Sequence, residues 1–194
     1  IWIGDQAPGN PVNNSQVSHH NYPMIDQTKM QITVSTMQAG DWDRIAEIYR
    51  AGIETKQATF ESNVPSWDHW NASHLTFARL VATYEGQIQG WAALSPVSSR
   101  KVYSGVAEVS VYIDTAFRGK GCGSLLLQAL IAESEQNGLW TLQAGIFAEN
   151  ERSIRLHLKC GFREVGRRIK IARLDRDWKD TVLLERRSLT VGTD

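Results

Sequence analysis

The stretch Arg118–Ser124 (Arg-Gly-Lys-Gly-Cys-Gly-Ser) constrains the fold more than any other part of the chain. It sits between a strand-like run, Val106–Ile113, and a long apolar helical run carrying Leu126, Ala129, Leu130 and Ile131 that stops at Asn137-Gly138. Glycines at 119, 121 and 123 let the main chain approach a ligand with no Cβ in the way. The free N–H groups at the start of the following helix favour an anion, and so does the helix dipole. Arg118 and Lys120 add positive charge. In physical terms this is a cradle for a pyrophosphate; the plainer reading is a glycine-rich surface turn. Two common cradles do not fit. A P-loop needs Ser or Thr directly after its Gly-Lys, and here Gly121 follows Lys120. A dinucleotide turn needs G-x-G-x-x-G near a first strand, whereas Gly119-x-Gly121-x-Gly123 has another spacing and comes late in the chain.

The rest of the chain supplies a domain around this turn. Residues 1–29 are rich in Asn, Gln, Pro, Gly and Ser, show no apolar period and lack the pattern of a secretory signal. They read as a polar leader, disordered or left from cloning, with Met24 or Met30 as natural starts and His19-His20 as polar filler. Residues 30–190 read as one globular domain. Gln31–Thr36 alternates as a strand, and Asp41 can cap a helix with a stripe of Ile45, Ile48, Tyr49 and Ile53. Ser66 can cap a second helix through Leu75. Phe77–Tyr84, Trp91–Val97 and Val106–Ile113 read as strands, the first two joined at Glu85-Gly86-Gln87. Past the long helix come a strand, Thr141–Phe147, and a helix capped by Asn150 and ending at Cys160-Gly161. Two last strands, Phe162–Arg173 and Thr181–Glu185, are joined by Asp175–Asp180. The order β-α-α-β-β-β-α-β-α-β-β predicts an α+β fold, a mixed and mostly antiparallel sheet with helices on its faces.

The 194 residues balance 21 Lys and Arg against 21 Asp and Glu, a formal net charge of +0. That argues against nucleic acid as a partner, and the seven Trp read as core and pocket walls. No apolar run approaches the roughly 18 residues that cross a bilayer. The two cysteines cannot make a disulfide framework or a zinc site by themselves, so no metal is expected and a reduced, cytoplasmic setting fits.

Arg118-x-x-Gly121-x-Gly123 resembles the [QR]-x-x-G-x-[GA] acetyl-CoA loop of the GNAT superfamily of N-acetyltransferases. The likeness runs from about Ile32 to Arg186, in element order as well as motifs. Asn150–Phe162 resembles the family's second cofactor-side helix, which ends in a similar Gly-Phe. Within the superfamily, Ala58-Thr59-Phe60-Glu61, Glu108–Ile113, Ser153–Phe162 with His157, and Trp178-Lys179-Asp180 resemble the phosphinothricin acetyltransferase branch. That branch acetylates the α-amino group of phosphinothricin, methionine sulfoximine or related amino acids, an activity tied to antibiotic or herbicide resistance. Relatives there are often dimers, so a homodimer is an open expectation.

The resemblance implies direct attack of a primary amine on the thioester of acetyl-CoA. The amine must lose a proton, the oxyanion needs a donor, and the leaving thiolate gains from a proton. Glu108, on the strand before the turn, is then the general base, acting through water; a structural Glu is the competing reading. His157 is the acid, a partner of the base, or a residue that positions the cofactor. The backbone of Val111, Tyr112 and Ile113 meets the acetyl and pantetheine arm, Arg118, Gly119, Lys120, Gly121, Cys122, Gly123 and Ser124 hold the pyrophosphate, and Asn150 with Ser153 reaches the pantetheine. Asn150 also reads as a plain helix cap. Cys122 reads as a small residue in the loop and not as a nucleophile. Phe60, Glu61, Arg100 and Tyr103 are the candidates for the acceptor, Glu61 for its ammonium and Arg100 for its carboxylate. A polyamine, antibiotic amine or peptide N-terminus as acceptor, or a non-catalytic acyl-CoA-binding regulatory module, are the alternatives.

Overall fold

The structure, a computed structural model, describes residues 31–193. The polar leader, its two candidate start methionines and His19-His20 lie outside the described residues. The element order matches the one expected: β1 (Thr33–Thr36), α1 (Trp42–Glu54), α2 (Trp67–Ser73), β2 (Leu80–Tyr84), β3 (Gln87–Pro96), β4 (Val106–Ile113), α3 (Cys122–Gln136), β5 (Thr141–Phe147), α4 (Glu151–Lys159), β6 (Arg163–Leu174) and β7 (Asp177–Arg187). The strands form one seven-stranded sheet in the order β1-β2-β3-β4-β5-β7-β6. Every neighbouring pair is antiparallel except β4 and β5, which α3 connects as a parallel crossover.

Two cores lie on the two faces. Leu80, Leu94, Leu126, Leu127, Leu130 and Leu184 are fully buried in the aliphatic core under α3. On the opposite face α1 and α2 cover an aromatic core in which Ile45, Ile48 and Ile53 meet Trp70 and Trp91. The stripe read from α1 is therefore the buried one. Gly52 belongs to the same stripe. A side chain there would begin 2.7 Å from the Tyr112 ring, so the glycine lets α1 lie directly on β4.

Several boundaries differ from expectation for local reasons. α2 stops at Ser73 because His74 is already extended. β2 begins at Leu80 and not at Phe77; Ala78, buried at φ 53°, breaks the strand before it. β3 starts earlier, at Gln87, because Glu85 and Gly86 both take positive φ and make a two-residue hairpin turn. The last hairpin is also tighter than the expected six-residue link. Only Asp175 and Arg176 turn between β6 and β7, with Asp175 at φ 54°. Among the described residues no helix is long and apolar enough to cross a membrane.

Candidate active site

The sheet opens a fork in its middle. The β4–β5 ladder runs only from Val106↔Thr141 to Glu108↔Gln143. Past that point β4 continues to Ile113, still paired with β3, and β5 continues to Phe147, still paired with β7. Among the described residues no strand lies between the facing edges of Val109–Ile113 and Ala144–Phe147, and apart from the Phe147 carbonyl, which accepts the Asn150 N–H at 2.8 Å, the main-chain groups of these edges can pair with a ligand. A cavity of about 1170 Å³ begins at this open end, lined by Val111, Tyr112 and Ile113, the glycine turn, the end of α1 and one side of α4.

The wall opposite β4 is the start of α3. Its first residue follows Gly121, which sits at φ 86° and offers no side-chain cap. Its first N–H groups thus lack a side-chain acceptor, and Arg118, Gly119, Gly121, Gly123 and Ser124 all line the cavity. This arrangement suits a diphosphate. Lys120 and Cys122 stand apart from it. The Lys120 ammonium lies 4.6 Å from the centre of the Phe117 ring, and Cys122 is buried in the aliphatic core. Burial pushes the Cys122 thiol up to about 12, which overrides the lowering that a helix start exerts on a thiol.

The α4 wall begins at Asn150. Its Oδ1 accepts the Ser153 N–H at 3.2 Å and its Nδ2 donates to the Gln57 carbonyl at 3.1 Å, so it caps α4 and ties the helix to the loop after α1. Asn150 and Ser153 both line the cavity.

Glu108 stands where the two strands part and, like Phe60 and Glu61, is not among the residues that line the cavity. Its side chain is half-buried, and Oε2 accepts a hydrogen bond from Gln143 Nε2 at 3.1 Å. Oε1 lies 3.6 Å from where a side chain on Gly145 would begin, so the glycine leaves the carboxylate an open front. No cation is paired with Glu108 among the described residues, which leaves its charge for a proton or a substrate cation. The strand period places Glu108, Ser110 and Tyr112 on the α1 face. There the hydroxyls of Tyr112, Tyr49 and Thr59 hydrogen-bond one another, and the Tyr112 ring stacks on Trp91 at 4.7 Å. Burial, with the nearby Glu61 charge adding to it, raises both tyrosines above the ordinary phenol range. Phe60 meets Phe147 edge-on at 4.6 Å. The loop carrying Phe60 and Glu61 thus reaches the open end of the fork.

Three further expected residues also stand outside the cavity lining. His157 is 3% exposed and does not line the cavity. Its Nδ1 meets the Ser153 carbonyl at 2.8 Å, which fixes the proton on Nδ1; Nε2 is buried without a hydrogen-bond partner among the described residues, and the ring packs edge-on against Phe162 at 5.0 Å. Burial lowers its basicity. Arg100 and Tyr103 sit together on the exposed turn before β4, the guanidinium 5.7 Å from the ring centre, and neither lines the cavity.

Several contributors are not marked by the sequence as site residues. Gln143, Gly145, Tyr49 and Gly52 shape the fork, while Arg152, Arg155, Leu156 and Lys159 line the cavity from α4. The α4 spacing of 152, 156 and 159 is a helical face that the sequence displays. Nothing local marks that face as the one turned to the cavity. Among the described residues no three His, Cys, Asp or Glu side chains cluster to hold a metal ion.

A forked sheet with an uncapped helix start beside it is the architecture of an acyl-CoA-dependent transferase. The acetyltransferase (GNAT) family matches residues 42–162, and the chain belongs to that family. The phosphinothricin N-acetyltransferase of Alcaligenes faecalis is 30% identical over 84% of this chain and 85% of its own length. The L-methionine sulfoximine/L-methionine sulfone acetyltransferase of Salmonella typhimurium is 31% identical over 68% of this chain and 80% of its own. Among solved structures, a GNAT superfamily phosphinothricin acetyltransferase from Sinorhizobium meliloti in complex with AcCoA has a TM-score of 0.77 and 29% identity, covering 84% of this chain and 91% of that one. The chain is an acetyl-CoA-dependent N-acetyltransferase.

Proposed function

We propose that the enzyme moves the acetyl group of acetyl-CoA directly to the primary amine of a small amino-acid-like acceptor of the phosphinothricin or methionine sulfoximine type, with Glu108 as general base. The observation that carries this reading is the Glu108 carboxylate at the point of the fork, held by Gln143 and open toward Gly145. In this reading the amine nitrogen bonds to the acetyl carbon and the carbon–sulfur bond breaks. The proton shed by the amine passes to Glu108, through water, and the sulfur leaves as thiolate to be protonated. A free N–H of Val111–Ile113 donates to the oxygen that gains charge. Arg118, Gly119, Gly121, Gly123 and Ser124 hold the diphosphate; Lys120 adds charge at the turn, and Cys122 contributes main chain only. Asn150 and Ser153 meet the pantetheine. Glu61 and Phe60 receive the acceptor, Glu61 its ammonium. Arg100 and Tyr103 serve the acceptor only through the mouth of the site, because they do not reach the cavity. His157 acts by positioning α4, since its ring is buried and does not line the cavity.

Acceptor class is supported by relatives of both named activities that share most of the chain. The reading includes a cytoplasmic enzyme working as a homodimer, as the branch resemblance implies.

A thiol-release assay tests it. Phosphinothricin, methionine sulfoximine, methionine sulfone, ordinary amino acids, spermidine and an aminoglycoside are compared with wild type and Glu108→Gln. Turnover on the sulfoximine group is expected, with kcat lower by roughly 10²–10⁴ in the variant. Turnover confined to spermidine or the aminoglycoside discards the acceptor class. A variant with full kcat on its best acceptor discards the base.

A further inference from the structure

The cavity carries more positive charge than a diphosphate at the α3 start uses. Four cations line it, Arg118, Arg152, Arg155 and Lys159, against two acids, Glu149 and Glu151. Both acids are already engaged. Glu151 pairs with Arg155 at 2.9 Å, and Glu149 pairs with Lys179 at 3.2 Å. Arg118 belongs to the glycine turn. Arg152 and Lys159 are left, both exposed and neither in an ion pair among the described residues.

Their position is tied to the diphosphate cradle by one contact. Leu156 packs against the first turn of α3 so closely that a side chain on Gly123 would begin 3.1 Å from its Cδ2. Arg152 lies one helical turn before Leu156 and Lys159 almost one turn after it, on the same side of α4. The two free cations therefore flank the place where α4 touches the start of α3. CoA differs from a simple diphosphate ester by a monoester phosphate on its ribose, which carries about −1.5 to −2 charge near pH 7. That phosphate is joined to the diphosphate through a single ribose, so a diphosphate at the α3 start keeps it in the same neighbourhood.

We propose that Arg152 and Lys159 form the subsite for the ribose 3′-phosphate of CoA, and that they make this enzyme prefer CoA thioesters over their 3′-dephosphorylated forms. The proposal rests on the acetyl-CoA assignment. Arg152 supplies a planar fork of donors and Lys159 a point charge, a pair suited to a phosphate monoester at a solvent-exposed rim. The contribution is electrostatic and weakens with salt.

The test is calorimetric titration of the whole protein with CoA and with 3′-dephospho-CoA at low salt, repeated for Arg152→Gln/Lys159→Gln and for a charge control on β6, Arg168→Gln. Wild type and the control are expected to bind CoA about tenfold or more tightly than dephospho-CoA, and the ratio is expected to fall below about twofold in the double variant. A double variant that keeps the wild-type ratio overturns the proposal. So does a wild type with no preference between the two ligands. A wild type that binds neither ligand overturns the acetyl-CoA assignment itself, and the proposal with it, which separates the two failures.

Discussion

α3 and α4 begin on the same cavity and treat their first N–H groups in opposite ways. α4 starts on Asn150, whose side-chain oxygen takes the Ser153 N–H and whose amide nitrogen holds the Gln57 carbonyl. α3 starts after Gly121, which has no side chain to give. A glycine at the cap position costs only a few tenths of a kcal/mol relative to a capping side chain, which α3, with fifteen residues packed on the aliphatic core, bears easily. The nine-residue α4 has less to hold it. The difference shows how a fold marks a binding site: the start that is left bare is the one whose donors the ligand completes.

The hardest break of this contrast is to give α3 an anion of its own. Gly121→Asp puts a carboxylate at the mouth of the cradle and forces a side chain onto a backbone at φ 86°. Strain costs about 1–2 kcal/mol of stability. Charge repulsion against the diphosphate is expected to cost more, raising the KM for acetyl-CoA at least about a hundredfold, with a parallel loss of CoA binding by titration. A variant that loses thermal stability but keeps its KM would show that the glycine serves only the turn.

The reverse change is smaller. Asn150→Ala removes the cap of α4 and its tie to the loop after α1, and about 1–2 kcal/mol of stability should go with it in urea unfolding. Asn150→Asp keeps the capping oxygen and is expected to recover about half of that. If Asn150→Ala leaves stability intact and raises the KM for acetyl-CoA instead, Asn150 belongs to the ligand and the contrast between the two helix starts fails.

Local pattern explains why this contrast was legible and the fork was not. Glycine at 121 and Asn at 150 announce two helix starts within a few residues each, and the stripe of Ile45, Ile48, Tyr49 and Ile53 announces the buried face of α1. The fork depends on strands far apart in the chain. Val106–Ile113 and Thr141–Phe147 were each visible as strands, but nothing in either says that their ladder stops at Glu108 and Gln143. Gly52 reads as a weak point in a helix until Tyr112 is seen lying against it. Arg100 reads as a ligand cation because an acceptor carboxylate needs one and the branch resemblance points to this connection, and its place on an exposed turn before β4 follows from tertiary structure alone. His157 follows the cavity-lining Ser153 by one turn of α4, yet its ring is turned into the core against Phe162, away from Arg152 and Lys159, and one helix cannot say which of its faces meets a cavity.

His157 offers a pH test of that division. Its imidazole is held neutral by burial, so the folded protein takes up its proton at lower pH than the unfolded chain does. The stability tied to this group is full above about pH 6.5, the ordinary histidine value. It falls as pH drops from there toward the lowered folded value, because the unfolded state then binds more protons. His74, half-buried and lowered by the same cause, acts with the same sign, so the wild type carries both effects. His157→Leu should therefore lose less stability than wild type between pH 7.5 and pH 5 in thermal unfolding. Equal losses would mean that His157 protonates freely in the fold, and would return it to the list of groups able to pass a proton to the cavity.

The smallest expected effect concerns the two thiols, which sit at opposite kinds of helix end. Cys122 opens α3, where the dipole favours a thiolate, and Cys160 follows α4, where it does not. If the dipole decided reactivity, Cys122 would label first. Burial decides otherwise: Cys122 is pushed up to about 12, so at pH 8 only about one molecule in 10⁴ carries the thiolate, and the sulfur is enclosed by the aliphatic core. Cys160 is half-buried and raised by the same cause, with the neighbouring Lys159 pulling the other way. A thiol reagent under native conditions is expected to modify Cys160 first and Cys122 at least about a hundredfold more slowly, through opening of the α3 start. Saturating CoA should slow Cys122 further, because a ligand completing the bare helix start stabilises the closed form. Faster labelling of Cys122 would show that the first turn of α3 is loose when its donors are unfilled, and that the missing cap costs the fold more than the burial around it returns.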